Sequence, residues 1–158
     1  MEPPADGARR AAPERPARIL IADDNPQGVE LLEAYLGDTD YEIRTAADGD
    51  ETLRQVTSWH PDLILLDIMM PKISGFEVCK RLKADSSTRD IAILMITALD
   101  QQSDIDRAVE VGTDDFVSKP INKNQLLILV RALLTSRQEK RELERTLAYI
   151  EAVERGVP

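Results

Sequence analysis

A doubly wound α/β domain on a parallel sheet is the fold this sequence predicts. Strand patterns at 18–22, 41–46, 62–67, 91–97 and 114–118 alternate with amphipathic helical stretches. That alternation is the pattern of consecutive βαβ units. The first and third strand patterns are apolar almost throughout, as in Ile19-Leu20-Ile21-Ala22 and Leu63-Ile64-Leu65-Leu66. Strands covered on both faces read this way. Two runs then end in carboxylates, Asp23-Asp24 and Asp67. The carboxyl edge of an open parallel sheet is where such folds bind ligands.

Each element has a local justification. Residues 1–17 carry Pro3, Pro4, Pro13 and Pro16 among Ala, Arg and Gly7. That composition cannot bury enough surface to order itself, so a disordered arm is expected there. A compact body follows at 18–134, and a charged tract at 135–158. After the first strand, Asn25 suits an N-cap with Pro26 at the first helical position. Val29, Leu32 and Leu36 then recur at helical spacing. Pro61 and Pro71 bracket the third strand. Helices fit 49–58, 75–84 and 102–111, with Gly112 placed to end the last of these. A fifth helix starts near 123.

Composition narrows the function. The chain has 158 residues, 42% of them hydrophobic, which suits one domain with a real core. The formal net charge of -9 argues against nucleic-acid binding by this chain and for basic partners. The single cysteine, Cys79, excludes an internal disulfide and reads as a packing residue. His60, the single histidine, precedes Pro61 and reads as a surface loop residue rather than a catalyst. No apolar stretch approaches the roughly 18 residues of a membrane helix. The expectation is a cytoplasmic protein that meets no membrane.

The chemistry gathers at the strand ends. With strands one, three, four and five side by side, Asp23-Asp24, Asp67, Thr97-Ala98 and Lys119-Pro120 share one edge. Carboxylates in such a group hold Mg²⁺. One of them can serve as a nucleophile toward phosphorus. An ammonium, a hydroxyl and a metal neutralise the oxygens of a phosphoryl group in transfer.

These residues resemble the receiver domain of two-component response regulators. The resemblance covers roughly 17–134. It rests on Asp23-Asp24, on Pro61-Asp62-Leu63-Ile64-Leu65-Leu66-Asp67, and on Met70-Pro71 with Gly75. It continues through Ile96-Thr97-Ala98, Gly112-Thr113-Asp114-Asp115-Phe116 and Lys119-Pro120. It implies a flavodoxin-like, five-stranded sheet in the order 2-1-3-4-5, an arrangement also known from another receiver protein. It implies that Asp67 accepts a phosphoryl group from a sensor histidine kinase or phosphotransfer protein. Asp24, Asp67 and the backbone carbonyl of Met69 would ligate Mg²⁺, with Asp23 acting mostly through water. Lys119 would contact the phosphoryl oxygens. Thr97 and Phe116 would form the switch that re-shapes a face for a downstream protein target. Lys119-Pro120 would be a cis peptide.

Met69 and Leu99 follow the acceptor and the switch threonine by two residues each. Both are apolar and poorly suited to holding an attacking water, so slow autodephosphorylation is expected. The chain is therefore read as a signalling switch and not an enzyme with a substrate of its own. An interaction-only pseudo-receiver is the alternative, but it would have lost acceptor, metal or lysine positions. A haloacid-dehalogenase-like phosphatase would need an acid where Met69 stands.

The C-terminal tract carries apolar residues at Leu126, Leu129, Leu133, Leu143, Leu147 and Ile150, interrupted by Ser136 and Lys140. The run from Arg137 to Arg145 is rich in helix formers and in opposite charges one turn apart. An extended fifth helix is expected, ending near Gly156 and Pro158. It reads either as a coiled-coil arm joining a homodimer or as a solvated tail. No output module is recognisable after Leu134. The sequence suits a single-domain regulator or a receiver fragment of a larger protein.

Overall fold

The computed structural model describes residues 15–98 and 102–156. Five parallel strands form one sheet in the order β2-β1-β3-β4-β5. They are β1 (Arg18–Ala22), β2 (Glu42–Ala46), β3 (Leu63–Asp67), β4 (Ala92–Thr97) and β5 (Asp115–Ser118). Five helices connect and follow them: α1 (Pro26–Tyr35), α2 (Gly49–Trp59), α3 (Gly75–Ala84), α4 (Gln102–Glu110) and α5 (Lys123–Glu154). The predicted fold class and strand order are both found. β2 to β5 each begin one residue later than predicted, because residues such as Asp62 spend their backbone groups on strand-entry bonds rather than on the ladder.

The central strands β1, β3 and β4 are buried on both faces, and the alternation of side chains still sorts them. Leu20, Ala22, Ile64, Leu66, Ile93 and Met95 point to the face covered by α2, α3 and α4. Ile19, Ile21, Leu63, Leu65, Leu94 and Ile96 point to the face covered by α1 and α5. Cys79 is buried in the first of these layers, and burial pushes its thiol up to about 11. Asn25 caps α1 by accepting from the Gln27 N–H at 2.9 Å, with Pro26 at the start. Gly112, at φ +91°, ends the chain's fourth helical segment as expected. His60 is exposed and caps α2 in the left-handed region.

α5 runs 32 residues, roughly 48 Å at 1.5 Å per residue. Its first part belongs to the domain. Leu126 and Val130 are fully buried, and Leu127, Leu129, Leu133 and Leu134 pack against the same core. Beyond Arg137 the apolar residues are open: Leu143 is 58% exposed, Leu147 51% and Ile150 44%. The heptad-like pattern therefore divides into two stripes. At about 100° per residue the second stripe is rotated roughly 100–160° away from Val130. No helix among the described residues is long and apolar enough to cross a membrane.

One carboxylate ties the amino edge of the sheet together. Asp62, at the entry to β3, is buried. It accepts from Arg15 Nη1 at 2.9 Å and Nη2 at 3.3 Å, from the Arg18 N–H at 2.8 Å and from Arg137 Nη1 at 2.9 Å. Arg137 also donates to the Asp90 carbonyl at 2.8 Å. The segment before β1, the start of β3 and the exit of α5 thus meet at one ion cluster. Residues 1–14 lie outside the described residues.

Burial works to raise the pKa of Asp62. The Arg15 bonds, the Arg18 N–H and the two arginine charges outweigh it and hold the carboxyl below its usual range. A depressed carboxylate adds stability above its unfolded-state pKa and loses it as pH falls through the folded value. Asp62→Ala, which strands the largely buried Arg137 guanidinium, should lower unfolding free energy near neutrality by about 3 kcal/mol. In urea titrations that deficit should shrink below about pH 4. A loss of under ~0.5 kcal/mol near neutrality would mean that the cluster is an ordinary exposed ion pair.

Candidate functional site

The carboxyl ends of β1 and β3 lie side by side, with Ala22 paired to Leu66. The next residues are therefore neighbours: Asp23 after β1 and Asp67 closing β3. Each of Asp23, Asp24 and Asp67 offers a carboxylate oxygen to one spot, all within 4.8 Å of one another. Asp23 and Asp67 are 3% and 6% exposed, and Asp24 is open to solvent.

The two buried acids have definite seats. Asp23 receives the Asn25 N–H on Oδ1 at 2.9 Å, while its own N–H donates to the Ala46 carbonyl at 3.0 Å. Asp67 receives the Met69 N–H on Oδ1 at 3.1 Å. Its Oδ2 faces Lys119 Nζ at 3.5 Å, which leaves the ammonium short of a close bond. The loop after Asp67 is held down by the start of α3, where the Gly75 N–H donates to the Ile68 carbonyl at 2.8 Å. A Cβ on Gly75 would stand 2.4 Å from the Asp67 carbonyl oxygen, so only glycine lets α3 approach this closely. Met69 itself is 69% exposed.

Lys119 is delivered by β5. Its N–H donates to the Thr97 carbonyl at 2.7 Å, and the Lys119-Pro120 peptide is cis, as expected. Thr97 ends β4 one residue past the partner of Asp67, and its side chain is buried. Phe116 on β5 is half-buried. A narrow gap separates these two from α4, lined by Ile68, Thr97, Asp104, Ile105, Ala108 and Phe116.

The electrostatics are unbalanced. Burial raises the pKa of Asp67, and the Met69 N–H opposes it. The charge of Asp23 and the shared hydrogen bond with it raise it further, and Lys119 opposes. The balance pushes Asp67 up to about 6. Buried negative charge with one distant ammonium is a site short of positive charge. Three hard oxygen donors suit a small divalent cation, so this donor set fits Mg²⁺.

Asp23, Asp24, Asp67 and Lys119 are brought together, and Thr97 and Phe116 flank one adjoining gap. Leu99 lies outside the described residues. Nothing in the apolar periodicity marks Gly28, yet its α carbon lies against the Asp23 carboxylate. A Cβ there would stand 2.5 Å from Oδ2. The available signal is a glycine in the first turn of a helix, where it is a poor helix former.

Comparison with known proteins agrees with this geometry. The family model described as "Response regulator receiver domain" matches residues 19–131. Response regulator PleD of Caulobacter vibrioides is 47% identical over 117 residues, which is 74% of this chain and 26% of PleD. The DNA-binding dual master transcriptional regulator RpaA of Synechocystis is 43% identical over 74% of this chain and 48% of its own length. The chain thus spans half or less of these curated relatives. Among solved structures, a putative response regulator from Chloroflexus aurantiacus superposes with a TM-score of 0.74 at 35% identity. That match covers 77% of this chain and 99% of the other. The receiver domain of a signal transduction histidine kinase from Syntrophus aciditrophicus gives a TM-score of 0.72 at 34% identity, covering 76% and 91%.

The raised pKa of Asp67 carries a sign that can be checked. A carboxyl whose folded pKa exceeds its unfolded value favours the fold when protonated, and that benefit is lost as pH rises through about 6. Without divalent cations, Asp67→Asn should therefore stabilise the protein near pH 7.5 by about 1–2 kcal/mol, allowing for solvent access to the pocket. The gain should shrink as pH falls through 6 and be gone near 4. Calorimetric melting curves showing no gain, or a gain independent of pH, would contradict this charge balance.

Proposed function

The chain belongs to the response regulator receiver family of two-component systems, and on that premise we propose that Asp67 is its phosphoacceptor. The observation that supports this most is the clustering of three carboxylates within 4.8 Å, with Lys119 Nζ 3.5 Å from Asp67. A histidine kinase or phosphotransfer protein presents a phosphohistidine to the open edge of the sheet. An Asp67 carboxylate oxygen bonds to phosphorus as the imidazole nitrogen leaves. With its pKa about 6, Asp67 is largely ionised at neutral pH and can act as the nucleophile.

Asp24, Asp67 and the Met69 backbone carbonyl would hold Mg²⁺, with Asp23 acting mostly through water. The ion supplies positive charge against the phosphoryl oxygens. Lys119 supplies the second positive charge. The Thr97 hydroxyl turns toward the phosphoryl group. Phe116 follows it into the gap beside α4, which alters the face formed by α4, β5 and α5. The chain is a switch, and its only chemistry is on itself. Its output is protein contact, with a downstream target or a second copy. The open stripe of Leu143, Leu147 and Ile150 offers a surface for pairing two α5 extensions.

A phosphatase reading is disfavoured by exposed, apolar Met69, where such an enzyme needs an acid. An interaction-only module is disfavoured because the acceptor, metal and lysine positions are all kept.

Intact-mass measurement after incubation with Mg²⁺ and acetyl phosphate should show one added phosphoryl group on the wild type and none on Asp67→Ala. An unmodified wild type, tested also with a phosphorylated histidine phosphotransfer protein, would refute the proposal. The phosphorylated form should persist for minutes or longer, because Met69 cannot hold an attacking water. Complete decay within seconds in the same assay would reject that role for Met69. Paired Leu143→Glu and Leu147→Lys substitutions should abolish phosphorylation-dependent self-association in size-exclusion runs, without lowering phosphorylation. Unchanged association would remove the extension from the output.

A further inference from the structure

Gly28 is the third residue of α1, and its backbone does not need glycine. Its φ is not in the left-handed region, unlike that of Gly112 or Gly156. Alanine would suit a helical position better by roughly 1 kcal/mol. The reason for glycine is therefore space, and the space is filled by one group. A Cβ at Gly28 would stand 2.5 Å from Asp23 Oδ2 and 3.4 Å from its Cγ.

Asp23 has no easy retreat. It is almost fully buried, its Oδ1 is held by the Asn25 N–H at 2.9 Å, and its backbone N–H is held by Ala46. A methyl group at position 28 would turn the carboxylate away from the turn that seats it. That would move one corner of the acidic cluster relative to Asp24 and Asp67. Gly37, at the other end of α1, provides the contrast. A Cβ there meets only its own helix, 3.3 Å from the Ala34 carbonyl.

We infer that Gly28 is a positioning residue of the acidic pocket: its bare α carbon seats the Asp23 carboxylate on the first turn of α1 and so sets the spacing of the cation-binding oxygens. It touches neither phosphoryl group nor cation, and acts only through Asp23. The inference rests on the reading of the pocket as a Mg²⁺ site.

The two readings are separated by melting the full chain against increasing Mg²⁺, without phosphodonor. Wild type should be stabilised by the ion, with a midpoint giving its dissociation constant. Each variant's Mg²⁺ response is read against its own melting point without the ion, because Gly28→Ala gains helix propensity but displaces the seated Asp23 carboxylate. The Mg²⁺ dissociation constant of Gly28→Ala should rise roughly tenfold, in the range seen when supports of metal ligands are altered. Gly37→Ala should leave that constant unchanged. With the Asp23 side chain removed, the methyl has room, so Asp23→Ala and the double variant Asp23→Ala/Gly28→Ala should share one Mg²⁺ constant. That pair also keeps the test valid if Gly28→Ala alone folds poorly. A wild type indifferent to Mg²⁺ would overturn the pocket reading and this inference with it. A responsive wild type with an equally responsive Gly28→Ala would overturn the inference alone. So would a further loss of affinity in the double variant, since Gly28 would then act by another route.

Discussion

The structure turns on two buried carboxylates, Asp23 and Asp67, that the sheet forces together. Parallel pairing of β1 with β3 sets their spacing, because each closes or follows a strand whose apolar residues are wholly buried. Like charges in such a place are costly unless something neutralises them. Lys119, at the end of β5, is near enough to help and too far to suffice. The pocket thus keeps an unmet demand for positive charge, which suits a divalent cation. The proposed phosphorylation of Asp67 would add further negative charge to the same spot. Groups that can answer it, Lys119 and Thr97, sit at the ends of the two adjoining strands. On the proposed function, this arrangement would link the sheet's register to a change in the helices around it.

The opposite edge of the sheet is built in the contrary way. Asp62 lies at the start of the same strand that ends in Asp67. There a single buried acid meets an excess of cations, and its carboxyl is held low instead of being pushed up. One end of β3 is electrostatically satisfied and the other is not. The satisfied end anchors α5 through Arg137 just before the helix leaves the domain. A displacement of α5 near β5 would thus be transmitted to the extension through a fixed point. The apolar stripe beyond that point is short. Stable association through it would need help from the domains themselves, since interfaces below about 1,200 Å² are weak.

Much of this was legible in the sequence. The central strands β1 and β3 showed because doubly covered strands are continuous apolar runs, and their ends showed because a carboxylate breaks the run. The sheet order came through the family resemblance, since periodicity alone does not say which strands are neighbours. Asp23, Asp24, Asp67, Thr97 and Lys119 stood out as polar groups at or just beyond strand ends, whereas Met69 and Phe116 were singled out only through the family resemblance. Contacts far apart in sequence were not legible. Arg137 and Asp62 are 75 residues apart, and each alone looks like a surface charge. Gly28 was invisible because its role is the absence of an atom. The leucines of α5 share one spacing, yet Leu126 is core and Leu147 is open. Spacing does not reveal where a helix leaves the domain.

The central claim is that charge gathered at Asp67 is sensed at Thr97, Phe116 and α4. Amide NMR spectra of the ¹⁵N-labelled protein test it most directly, first with Mg²⁺ and then with acetyl phosphate added. The account predicts that Mg²⁺ moves the signals of Asp23, Asp24, Asp67 and Met69. Phosphorylation should then move those of Thr97, Phe116 and residues 103–110, leaving the Asp62 edge in place. Shifts confined to Asp67 and its immediate neighbours after full phosphorylation would contradict it. The pocket would then accept a phosphoryl group without being coupled to any switch.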